Sequence, residues 1–192
     1  MSTGPECARP VVGPQTRHII VMGVSGCGKS TIAVGIAGAM GLPFAEADRF
    51  HPEANVAKMA TGVPLTDEDR WPWLSDLSAW MASQADLGQS TVMACSALRR
   101  TYRDLLRSGP PSVDFVHLAG PMEVVEERMR ARHGHFMPGS LLRSQFDTLE
   151  PLQADERGVV LDLRAAPEDL VEQAVSWLTE VADPAGGRHN AG

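Results

Sequence analysis

The sequence predicts an α/β protein, a parallel β-sheet covered by helices on both sides, and two observations carry that prediction. Short apolar runs rich in β-branched residues alternate with helical patterns along the chain, an order that places helices between parallel strands. The first such run opens directly into a glycine-rich turn and a helix, in HIIVMGVSGCGKST from His18 to Thr31. Ile19 to Met22 has the length and branching of a buried strand, and the helix that follows starts near Lys29, runs on through Thr31 to Met40 and closes at Gly41. Pro43 to Ala47 reads as a short second strand. Val92 to Cys95, Val113 to Leu118 and Val159 to Leu163 read as three more. Trp73, Leu74, Leu77, Trp80 and Met81 share one helical face, and Leu170, Val171, Ala174, Val175 and Leu178 share another. These stripes are read as core.

With 192 residues, 43% of them hydrophobic, the chain has enough apolar material for one substantial core and too little length for two domains. A single domain is expected over residues 17–182, with flexible tails at 1–16 and 183–192, where Pro, Gly and small polar residues dominate. No apolar run approaches the roughly 20 residues that cross a bilayer, and the first residues lack the apolar centre of a signal peptide, so a cytoplasmic protein with no membrane partner is expected. The net charge of −7 argues against a nucleic-acid surface. Cys7, Cys27 and Cys95 are odd in number and lack C-x-x-C spacing, which indicates neither a disulfide framework nor a zinc site.

The chemistry begins at the glycine loop. Gly23 to Ser30 fits G-x-x-x-x-G-K-[ST], in which glycines let successive N–H groups turn inward around an anion at a helix N-terminus. The expected nucleotide-binding residues are therefore Gly23, Val24, Ser25, Gly26, Cys27, Gly28, Lys29, Ser30 and Thr31. Lys29 is placed to reach the terminal phosphates and Ser30 to ligate Mg²⁺, while Cys27 contributes only backbone. Such loops serve ATPases, GTPase switches and kinases alike. The absence of N-K-x-D, and a third strand ending in Ser96 rather than an aspartate, favour a small-molecule kinase.

The second strand ends in AEADRFHPEANVAKMATGVPLTDEDRWPWL, polar where a parallel sheet exposes its carboxyl edge. Asp48 is placed there beside the phosphate loop, able to accept a hydroxyl proton and to organise Mg²⁺ through water; a loop-solvated or helix-capping aspartate is the alternative. His51, Lys58 and Arg70 follow, residue types suited to an anionic, hydroxyl-rich acceptor. In CSALRRTYRDLLR, Arg99, Arg103 and Arg107 recur every four residues and share a helical face suited to a carboxylate or phosphate, Arg103 following the strand edge closely; a solvated basic face is the alternative, above all for Arg107. In ERMRARHGHFMP, Arg128 and Arg132 lie one turn apart before Gly134 and Pro138, the makings of a mobile lid over about residues 133–140.

In these segments, and in SQFDTLEPL from Ser144 to Leu152, the chain resembles the bacterial gluconate kinases, relatives of shikimate and adenylate kinases among the P-loop kinases. The HP-x2-N-x2-KMA-x-G-x-PL-x-D-x-DR-x-PWL run from His51 to Leu74 and the CSAL block are the most specific parts. The resemblance implies a three-layer fold on a five-stranded parallel sheet with a mobile lid, a homodimer, ATP and Mg²⁺ as cofactors, and phosphorylation of D-gluconate to 6-phospho-D-gluconate. It implies Asp48 as base, Lys29 and Arg132 as catalytic cations, Arg128 over the adenine, and His51, Lys58, Arg70, Arg103, His135 and Gln145 on the substrate side. Two departures stand out. Glu46 replaces an aspartate common in the family, keeping the charge but lengthening the reach, and arginine stands for lysine at Arg99 and Arg100. A kinase for another small acceptor, such as shikimate or a nucleoside monophosphate, and a nucleotide-binding module with little or no turnover are the rival readings.

Overall fold

The computed structural model describes residues 16–131 and 139–182. Among them β1 (His18–Met22), β2 (Phe44–Glu46), β3 (Thr91–Ala94), β4 (Val113–Ala119) and β5 (Gly158–Asp162) form one five-stranded sheet in the order β2-β3-β1-β4-β5. Every pairing is parallel. The helices are α1 (Lys29–Met40), α2 (Glu53–Ala60), α3 (Asp67–Asp86), α4 (Arg100–Leu106), α5 (Met122–Ala131), α6 (Gly139–Thr148) and α7 (Pro167–Ala182), with a 3₁₀ turn at Ala47–Phe50.

The strands begin and end within about two residues of the expected positions. β1 gains His18, which is fully buried because its Nδ1 meets the Thr91 hydroxyl at 2.8 Å on the neighbouring strand. The period of two along each strand sorts its residues onto two faces. Ile19 and Val21 face α1 and α7, packing with Ile32, Ile36, Leu170, Ala174 and Leu178. Ile20 and Met22 face α3 and α4, packing with Leu74, Leu77, Met81 and Leu106. The predicted helical stripes thus form the two outer layers. Trp80, Val171 and Val175 are half-buried at the margins, Trp80 lying edge-on to Phe50 at 5.6 Å.

At the amino end of the sheet, the wholly buried Asp114 accepts hydrogen bonds from Arg17 Nε at 2.9 Å and Nη2 at 2.6 Å, and from Arg157 Nη2 at 3.1 Å. Arg17 also donates to the carbonyl of Leu178 at 2.8 Å, tying α7 to the same point. At the carboxyl end the strand order leaves a crevice, because the chain departs from β1 toward β2 on one side while β4 and β5 lie on the other.

His117 on β4 is buried, its Nε2 has no partner among the described residues, and burial together with the nearby Arg103 guanidinium pushes its pKa down to about 4. The imidazole is therefore neutral in the folded protein but takes up a proton near pH 6.5 once unfolded. Because the unfolded chain binds the extra proton, stability should fall as pH drops from about 6.5 to about 4, by about 3 kcal/mol from this residue. Denaturant unfolding of His117→Met across that range should show a flatter acid limb than the parent; an identical slope would refute the assignment.

Candidate active site

The phosphate loop has the backbone its glycines predict. Gly23, Gly26 and Gly28 have φ of 141°, 80° and 107°. A Cβ at Gly26 would sit 2.5 Å from Met129 Cγ, and one at Gly23 would sit 2.9 Å from the Leu118 carbonyl oxygen, so angle and space both demand glycine. α1 starts at Lys29 with no side chain capping its first N–H groups, which leaves that positive end to an anion. Lys29 Nζ donates to the Val24 carbonyl at 2.9 Å, holding the ammonium across the loop. Cys27 is buried, and burial pushes its thiol pKa up. Cys95 is buried too, its thiol pushed up to about 12 for the same reason.

Ser30 Oγ donates to Glu46 Oε2 at 2.7 Å. The longer side chain at position 46 thus spans to α1, and the serine oxygen keeps its lone pairs for a cation. Asp48 stands exposed on the 3₁₀ turn after β2 and lines a cleft of about 290 Å³ together with Ser25, Lys29, His51 and Arg70. That turn is pinned by Trp73, whose Nε1 donates to the Ala47 carbonyl at 2.9 Å and whose ring stacks on His51 at 4.1 Å. The pKa of His51 is lowered by burial and by Arg70, against the pull of Asp48, so the imidazole enters the cleft neutral. Ser144, Gln145 and Thr148 of α6 form another wall, and Gln145 Oε1 accepts from the Ser25 N–H at 2.6 Å. Six expected residues, Ser25, Lys29, Asp48, His51, Arg70 and Gln145, therefore share one cleft.

Arg128 lies behind the loop, donating to the carbonyls of Cys27, at 3.1 Å, and of Leu163. It joins the phosphate loop to the segment after β5. Arg132 and His135, and with them most of the expected lid, lie outside the described residues.

Two expected acceptor residues are not in the cleft. Arg103 is completely buried. Its Nε and Nη2 donate to Glu156 at 2.6 and 2.9 Å, and its remaining N–H groups go to the carbonyls of Ala97, Leu98, Glu150 and Pro151. All five donors are occupied, so none is left for an acceptor. Lys58 turns instead to Asp69, which also accepts from the Thr66 N–H at 2.7 Å in the capping box that starts α3. Its ammonium links α2 to α3. Arg107, just past the end of α4, likewise pairs with Asp104 of that helix.

Sequence reasoning left out several residues of the site. Tyr102, Trp73 and Ser96 line the cleft. Tyr102 and Trp73 sit at core positions of their helices, and nothing in the periodicity distinguishes a core aromatic with its polar edge at a cleft. Ala97 has φ 44°, a left-handed angle unusual for alanine, in the turn after Ser96. Its signal was the CSAL block itself.

No protein-family model matches the chain. The gluconokinase of Gluconobacter oxydans is 43% identical over 164 residues, 85% of this chain and 92% of that protein. Among solved structures, an unliganded sugar kinase from a Janibacter species is 63% identical with a TM-score of 0.82, covering 85% of this chain and 95% of its own. A gluconokinase from Sinorhizobium meliloti is 43% identical with a TM-score of 0.82, covering 92% and 98%. With the phosphate loop, the acidic second-strand edge and the five-stranded order all in place, the chain belongs to the gluconokinase family.

Proposed function

We infer that this protein is a gluconokinase, transferring the γ-phosphoryl group of ATP to D-gluconate to give ADP and 6-phospho-D-gluconate. The observation that carries the reading is the cleft in which Lys29, Asp48, His51 and Arg70 meet at the carboxyl edge of the sheet. The glycine loop and the start of α1 would bind the nucleotide phosphates through N–H groups, with Lys29 released from Val24 to the transferring group. Asp48, exposed to the cleft, would take the proton from the acceptor hydroxyl as it attacks. Arg70 and His51 suit the carboxylate and hydroxyls of the acceptor. Arg132, His135 and Arg128 complete the reading as lid and nucleotide residues, on the family resemblance. That resemblance also supports a cytoplasmic homodimer. Among the described residues no helix is long and apolar enough to cross a membrane, and the charge of −7 supports a small-molecule rather than a nucleic-acid partner.

The donor set fits Mg²⁺: a serine oxygen beside the Glu46 carboxylate, with Asp48, two residues after Glu46, to act through water. Bound there, Mg²⁺ would neutralise charge on the phosphate oxygens during transfer.

The test is ATP turnover measured with and without gluconate, across a panel of sugar acids, shikimate and nucleoside monophosphates. Gluconate-dependent ADP release is expected. Turnover on another acceptor alone, or none on any, would refute the reading. Lys29→Ala should remove turnover from a protein that still unfolds cooperatively, because Lys29 bonds only to a loop carbonyl. Near-normal activity in that variant would dislodge the loop from the chemistry.

A further inference from the structure

Beside the cleft, three side chains converge on a carboxylate that belongs to the protein. Asp67, the first residue of α3, accepts from the Tyr102 hydroxyl at 2.5 Å and from Arg99 Nη1 at 2.7 Å. Arg70, one turn along the helix, has Nη1 3.8 Å from the same carboxylate and donates to the Tyr102 hydroxyl at 3.4 Å. The guanidinium carbons of Arg70 and Arg99 lie 5.6 and 5.8 Å from the Tyr102 ring centroid. Tyr102 and Arg70 line the cleft, whereas Asp67 does not.

The arrangement has a direction. The Tyr102 ring is almost fully buried and braced edge-on by Trp71 at 5.5 Å, so only its hydroxyl position is open to adjustment. Burial and the bond to Asp67 push the phenol pKa up, which keeps the hydroxyl protonated as a donor. Arg70 is left with one long contact to Asp67 and one to a hydroxyl, so most of its N–H donors stay available to the cleft. The two guanidiniums and one carboxylate sum to a single positive charge, the complement of one acceptor carboxylate.

We propose that Asp67 is a positioning residue for the acceptor: by accepting the hydrogen bond of the Tyr102 hydroxyl it turns the oxygen's lone pair to Arg70, and so holds Arg70 in the orientation that receives the carboxylate of a monoanionic sugar acid. This rests on the gluconokinase reading. Asp67 touches no reactant; it acts by fixing Arg70, whose free N–H groups do. Arg99 serves as the second anchor, joining Asp67 to the residue that precedes α4.

Steady-state kinetics of Asp67→Asn and Tyr102→Phe test the assignment, with melting temperatures measured alongside. The first removes the charge but keeps the shape; the second removes the hydroxyl but keeps the ring over which both arginines lie. Each should raise KM for gluconate about tenfold or more, the scale of losing a charge-assisted hydrogen bond, with kcat and KM for ATP changed by no more than about twofold. Asp67→Glu should recover part of the loss. A merely structural residue would lower the melting temperature without separating the two KM values, and that result overturns the proposal. A fall in gluconate KM in Asp67→Asn overturns it as well, since Asp67 would then be competing with the acceptor for Arg70. If the parent protein does not phosphorylate gluconate, the activity fails and this inference with it; if it does and both variants keep the parental KM, only the role of Asp67 fails.

Discussion

Asp48→Asn is expected to lower kcat for gluconate phosphorylation by about 10²-fold or more, with KM for ATP little changed. The substitution keeps the size of the side chain and removes its capacity to take a proton. Asp48 is exposed on a turn, so its loss disturbs no packing. That turn is instead held from beneath by the bond from Trp73 to Ala47. Rapid-quench measurement of a single turnover would locate the defect in the chemical step. An effect confined to KM for ATP would remove Asp48 from the role of base.

Arg103→Ala should cost about 3–5 kcal/mol of stability, because it removes the buried ion-pair partner of Glu156 and takes a donor from each of four carbonyls. Urea unfolding would read the loss directly. Replacing both partners, Arg103→Met with Glu156→Leu, should recover part of it: the buried charge disappears, but the carbonyls still lose the donors of Arg103. A fully stable Arg103→Ala protein whose only defect is a raised KM for gluconate would return Arg103 to the acceptor site.

The contrast between these two residues shows where the sequence could be read. Asp48 was legible because its place follows from topology: a parallel sheet presents the residues after its strands at one edge, whatever packs elsewhere. The glycine loop was legible because its angles and its lysine are local requirements. Arg103 was not. Spacing of four tells which arginines share a helical face, but whether that face meets solvent, substrate or protein depends on Glu156, fifty-three positions away in a stretch with no apolar pattern to mark it as buried. Lys58 misleads in the same way, its partner Asp69 being fixed by the start of a later helix. Strand boundaries moved for a related reason, since His18 and Thr91 are polar residues buried by bonding to each other across β1 and β3.

The Asp114 clamp lies at the amino end of the sheet, about the length of β1 away from the phosphate loop. The ties that hold three strands and α7 together therefore share no atoms with the residues that meet ATP and the acceptor. Changes made at the two ends should combine almost independently. A lineage could thus alter its acceptor at one edge of the sheet while the other edge keeps the scaffold intact, and a designer could reinforce the clamp without retuning the cleft.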